Sequence, residues 1–165
     1  LPESHWKKAT ATEEALLGVL ITYPQFISQA AERLHESYFA DEVLGKAFTV
    51  LAELDATSKV DVVRFTQVVQ ESGFWGVGMS EERIGRCTTS YQTPDAGPYI
   101  ADIIRLHRLR SVYAVAMNAM ESITNKPCGS IDAIVAEMEQ VVSQCDDSHQ
   151  DDVQAIGQAA IELVD

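Results

Sequence analysis

No apolar run in this chain approaches the roughly 20 residues that a helix needs to cross a bilayer, so no membrane span is expected. Cysteine is scarce. Cys87, Cys128 and Cys145 are odd in number and far apart, without the paired spacing that zinc or a redox dithiol requires, and are expected to pack as small hydrophobes. The histidines, His5, His35, His107 and His149, are isolated from one another and from any carboxylate at ligand spacing, which leaves no metal site. Five prolines and nine glycines, scattered singly, exclude low-complexity linkers. The opening "LPESHWKKATATEEALLG" has no uninterrupted apolar stretch ahead of a small-residue cleavage site. It does not read as a secretory signal, and the cytoplasm is the expected compartment. Neither G-x-x-x-x-G-K-[ST], G-x-S-x-G nor H-E-x-x-H occurs, and no Cys/His pairing suggests a nucleophile. Nucleotide hydrolysis, catalysis and a bound cofactor are therefore not expected of this chain.

Positive charge is also sparse: the formal net charge is −13. From Glu121 onward ten acids face Lys126 alone, so this tail carries −9 and would repel a phosphate backbone. The single basic cluster, Arg105, Arg108 and Arg110, is too small to neutralise several phosphates. The acid pairs Glu13/Glu14, Glu81/Glu82 and Asp151/Asp152 are expected at helix starts, where they meet the helix dipole favourably.

What the chain does have is helical periodicity. Its 165 residues, 46% of them hydrophobic, suffice for one ordinary core. Thr10 stands three residues before Glu13, the capping-box spacing, and an apolar helix follows until Tyr23-Pro24. A second helix restarts at Pro24 with Phe26, Ile27, Ala30 and Leu34 on one face. A third carries Val43, Leu44, Ala47, Phe48, Leu51 and Leu54. In "KVDVVRFTQVVQESG" Asp61 is a natural N-cap, Val62, Phe65, Val68 and Val69 are the apolar positions, and Gly73 is the stop. "FWGVG" reads as a turn in which Trp75 packs on the core, and Ser80 caps a short helix over "EERIGRCTTS".

After "TPDAGP" a helix runs without a breaker from about Pro98 to Ile123. Ile100, Ile103 and Ile104 share one side of it. Leu106, Leu109, Tyr113, Ala116, Met120 and Ile123, spaced by three and four residues, form a heptad seam nearly opposite. One helix thus has two different partners. Across "TNKPCGS" a second seam follows, Ile131, Val135, Met138, Val142 and Cys145, and the two fit an antiparallel helical hairpin. An acidic linker leads to a last amphipathic stretch with Val153, Ile156, Ala160 and Leu163 on one stripe.

The expected fold class is all-α: a compact helical bundle, then a protruding antiparallel hairpin and a C-terminal linker helix. The divisions are a flexible N-terminus over 1–9, the bundle over 10–105, the hairpin over 106–145 and the linker with its helix over 146–165.

Several weak motifs in order give this pattern a family likeness. Glu14, Ala15, Leu17, Gly18, Leu20, Ile21, Pro24, Leu34 and Phe39 match the opening of the N-terminal domain of DnaB-type replicative helicases, with its A-x-L-G-x-L core. Val60, Asp61 and Val63 match a "P-V-D" segment of that family, and Thr93, Pro94, Ala96, Tyr99, Ala101, Ile103, Ile104 and Arg110 match its "T-P-S-A" segment and the helix that follows. Leu44 stands where the family usually has His, and "WGVG" followed by Met79 replaces its Gly-Gly. The chain resembles that family over residues 10 to 143.

The resemblance implies a non-catalytic scaffold for assembly and primase docking. Hairpins would pair two by two, and three dimers would form the collar of a hexameric ring threaded by single-stranded DNA. ATP and Mg would belong to a RecA-like motor domain outside this chain. Primase, and in some bacteria a helicase loader, would be partners. The residues assigned to self-association are Leu109, Tyr113, Ala116, Met120, Ile123, Val135, Met138 and Val142, and those assigned to docking on a neighbouring motor are Val153, Ile156, Ala160 and Leu163. The alternative is the helicase-binding adaptor domain of a bacterial primase, which shares a bundle and hairpin; a small all-α enzyme has no residues to support it.

Overall fold

The computed structural model describes residues 3–57, 59–125, 135, 136 and 139, with side chains from Ala9 onward except 119 and 122–125. Among them six α-helices and two 3₁₀ turns occur, and no strand. The order is α1 (Glu3–Thr22), a 3₁₀ turn (Pro24–Phe26), α2 (Ile27–Ala31), a second 3₁₀ turn (Glu36–Tyr38), α3 (Glu42–Thr57), α4 (Val62–Gln70), α5 (Glu81–Ser90) and α6 (Gly97–Asn125). The chain falls into two compact units, residues 1–107 and 108–165.

In the first unit α1 is the central element. Every residue from Glu13 to Ile21 is buried, so this helix is covered all round and the others pack on it. Leu16, Leu17, Val19 and Leu20 meet Ile27 and Ala30 of α2, Leu44, Phe48 and Leu51 of α3, Phe65 and Val69 of α4, Ile84 and Cys87 of α5, and Ile100 and Ile103 of α6 in one continuous core. Pro24 ends α1 as expected and sits in the first position of the 3₁₀ turn, where its missing N–H costs nothing.

Two glycines are dictated by close approach. A Cβ on Gly18 would lie 2.6 Å from the carbonyl carbon of Cys87 and closer still to its oxygen, so α1 and α5 cross backbone to backbone. At Gly45 a Cβ would lie 2.7 Å from the Glu36 carbonyl oxygen, which brings α3 down on the second 3₁₀ turn.

The caps expected at Asp61 and Ser80 are present: Asp61 accepts from the Arg64 N–H at 2.8 Å and Ser80 from the Arg83 N–H at 3.2 Å. Three expectations are corrected. Helix α1 begins at Glu3, so Thr10 lies inside it and no capping box forms; the threonine-to-glutamate spacing is also compatible with mid-helix positions. Gly73 does not supply a left-handed stop, and the positive φ angles fall at Gly76 and Gly78 in the following turn. Val62 is 44% exposed in the first turn of α4, because that helix reaches the core through Phe65 and Val69, with Val68 packed beside them.

Helix α6 enters the core through Ile100 and Ile103, and Leu106 is buried too, so it belongs with this face and not with an exposed seam. The turn ahead of it is fastened by the Tyr99 hydroxyl, which accepts from the N–H groups of Gln92 at 2.9 Å and Thr93 at 3.2 Å. His107 stacks on Tyr38, with ring centroids 4.4 Å apart and planes 14° from parallel.

Gly18→Ala should destabilise the first unit by about 2 kcal/mol or more, since the methyl group meets backbone that cannot rotate away. Urea denaturation followed by circular dichroism measures it, and an unchanged midpoint would refute the backbone crossing.

Candidate association surface

Two places in the chain have the look of a site: a lattice of charges inside the bundle, and an apolar face on α6. Their chemistry separates them.

The lattice starts from two carboxylates in the buried part of α1, Glu13 at 1% and Glu14 at 8% exposure. Their expected place at a helix start is wrong; they sit mid-helix with partners from distant segments. Glu13 accepts from the N–H groups of Ala40 at 2.6 Å and Asp41 at 3.1 Å, just ahead of α3. Asp41 caps α3, its Oδ1 accepting from Val43 and Leu44 N–H, and its Oδ2 takes Arg83 Nη2 at 2.6 Å. Arg83 also donates from Nε to Glu14 at 3.0 Å and from Nη1 to the Gly78 carbonyl at 2.8 Å. Arg86 grips Glu14 with both Nε and Nη2.

Burial alone would raise the Glu14 pKa, but the hydrogen bonds and charges of Arg86 and Arg83 outweigh it and hold the carboxyl below its usual range. Asp41 behaves alike: burial pushes upward, and Arg83 with the Leu44 and Val43 amides brings it below normal. Arg83 is desolvated, which favours loss of its proton, yet Asp41 and Glu14 keep it more firmly charged than usual. Beside them burial and then the Glu14 charge push the Cys87 thiol up to about 12. A carboxylate held down and a thiol held up are poor acid, base and nucleophile at neutral pH. No buried side-chain nitrogen or oxygen among the described residues lacks a hydrogen-bond partner. The lattice is a fastening.

The other feature lies in the second unit, on the part of α6 beyond His107. Tyr113 is 43%, Met117 45% and Met120 63% exposed, a single stripe at spacings of four and three. Leu109 and Ala116, assigned to the same seam, are half-buried and border the stripe. Met117 was not among the assigned residues, although its place between Tyr113 and Met120 is the signal that finds it. Val135 is also exposed, at 44%. Ile123, Met138 and Val142, and the linker residues Val153, Ile156, Ala160 and Leu163, lie outside the described side chains. Of the arginine cluster, Arg105 pairs with Asp102 at 3.4 Å on the exposed surface, and Arg108 and Arg110 are half-buried.

Among the described residues no group of three or more His, Cys, Asp or Glu side chains could hold a metal ion, and no helix is long and apolar enough to cross a membrane. The geometry is that of a fastened bundle followed by a helix with an uncovered apolar stripe.

The sequence of residues 7–105 matches the family described as the DnaB-like helicase N terminal domain. The chain belongs to that family. Among solved structures it is similar to the N-terminal domain of the DnaB helicase from Helicobacter pylori, a protein described together with its interactions with primase. That likeness has a TM-score of 0.61 at 15% identity and covers 75% of this chain and 98% of the other; at such identity it speaks to the fold alone. No curated protein matches by sequence.

For a DnaB-like N-terminal domain the all-α architecture is the expected one, and the matched residues are those of the bundle and its charge lattice. The A-x-L-G signature acquires a physical reason, since Gly18 admits α5 while Glu14, one turn earlier, pairs with Arg83 and Arg86 of the same helix.

The lattice predicts acid lability. Glu14 and Asp41 have lowered pKa values when folded, so the unfolded chain binds protons that the folded chain refuses, and stability rises with pH across that window. Stability should fall as pH drops through the usual values, 4.5 for Glu14 and 3.8 for Asp41, and go on falling until both protonate in the folded state. Arg83→Ala should cost about 3 kcal/mol at neutral pH, because it leaves Asp41 without its cation and the buried Glu14 with Arg86 alone, and should flatten the acid slope. Denaturation curves between neutral pH and the acid limit test both, and a slope unchanged in the variant would contradict the assignment.

Proposed function

We propose that this chain is the N-terminal assembly and primase-docking domain of a hexameric, cytoplasmic replicative DNA helicase. Membership of the DnaB-like family supports the helicase over the primase-adaptor alternative. The observation that carries the reading is the uncovered stripe Tyr113, Met117 and Met120, which gives a helix of this unit an apolar face without the charges expected of a solvated one.

In this reading the domain works by association and performs no chemistry. Hairpin pairs join subunits two by two through Leu109, Tyr113, Ala116, Met120 and Ile123 on one helix and Val135, Met138 and Val142 on the next. Three pairs build the collar of a ring through which a single DNA strand passes. The acidic tail keeps the collar from gripping that strand, since phosphates are repelled there. Val153, Ile156, Ala160 and Leu163 dock the linker on a neighbouring motor domain, which brings ATP and Mg. Outer faces of the hairpin receive primase, a partner that the Helicobacter pylori domain also has, and in some bacteria a loader.

Each apolar side chain fully buried on pairing contributes roughly 1.5–3 kcal/mol of transfer free energy, so a charge placed in the stripe should abolish it. Met120→Asp is expected to convert a dimer or hexamer to monomer in sedimentation while helical content and the denaturation midpoint stay unchanged. A variant that kept the wild-type mass would refute the role of this face.

A further inference from the structure

We draw no further inference here: the strongest candidate, the surface patch at the turn before α5, where Val77 stands 77% exposed between Gly76 and Gly78 with the exposed Glu81 and Glu82 following, is a lone apolar tip beside an acidic cluster, and nothing in the structure shows what covers it.

Discussion

A helix buried on every side cannot carry carboxylates unless other segments bring them partners, and that requirement organises the bundle. Residues 13–21 of α1 are wholly enclosed, and Glu13 and Glu14 are among them. Leaving a buried charge unpaired would cost several kcal/mol, a large part of an ordinary domain's stability. Glu13 takes the amides ahead of α3, and Glu14 takes Arg83 and Arg86 of α5. Arg83 then binds the cap of α3 and the carbonyl of Gly78, so one guanidinium holds α1, α3, α5 and the turn before α5 in fixed relation. Apolar packing supplies the driving force, and the charge lattice fastens α1, α3 and α5 in the arrangement seen.

The same crossing depends on an absence of side chain. Because Gly18 has no Cβ, the Cys87 backbone can lie against α1, and Arg83, one turn before Cys87, and Arg86, next to it, can reach Glu14. A larger residue at 18 would separate the helices and stretch those hydrogen bonds. This couples the glycine of the A-x-L-G signature to the acid that precedes it by four residues, which explains why the two belong to one motif.

Local signals were readable and distant ones were not. Asp61, Ser80 and the long α6 follow from spacing within a few residues, and each is where periodicity predicts it. The Thr10-to-Glu13 spacing misleads because a capping box and two mid-helix residues share it, and the amides that Glu13 accepts from, those of Ala40 and Asp41, lie 27 and 28 residues away. Leu106 goes to the core because the apolar faces of α6 overlap at its edge before they separate. The heptad pattern of the candidate surface was legible, but the pattern does not say which of its members the chain itself covers. Leu109 and Ala116 are half-buried, while Met117, off the strict heptad, is open.

Fastening belongs to the buried lattice around α1, and the association proposed above to a different stretch of the chain, α6 beyond His107. Hydrogen exchange compared at protein concentrations above and below the dimer Kd tests that division directly. The account predicts that protection of residues 108–125 rises with concentration while that of α1 and α5 stays constant. Concentration-dependent protection in α1 and α5, with none in 108–125, would contradict it.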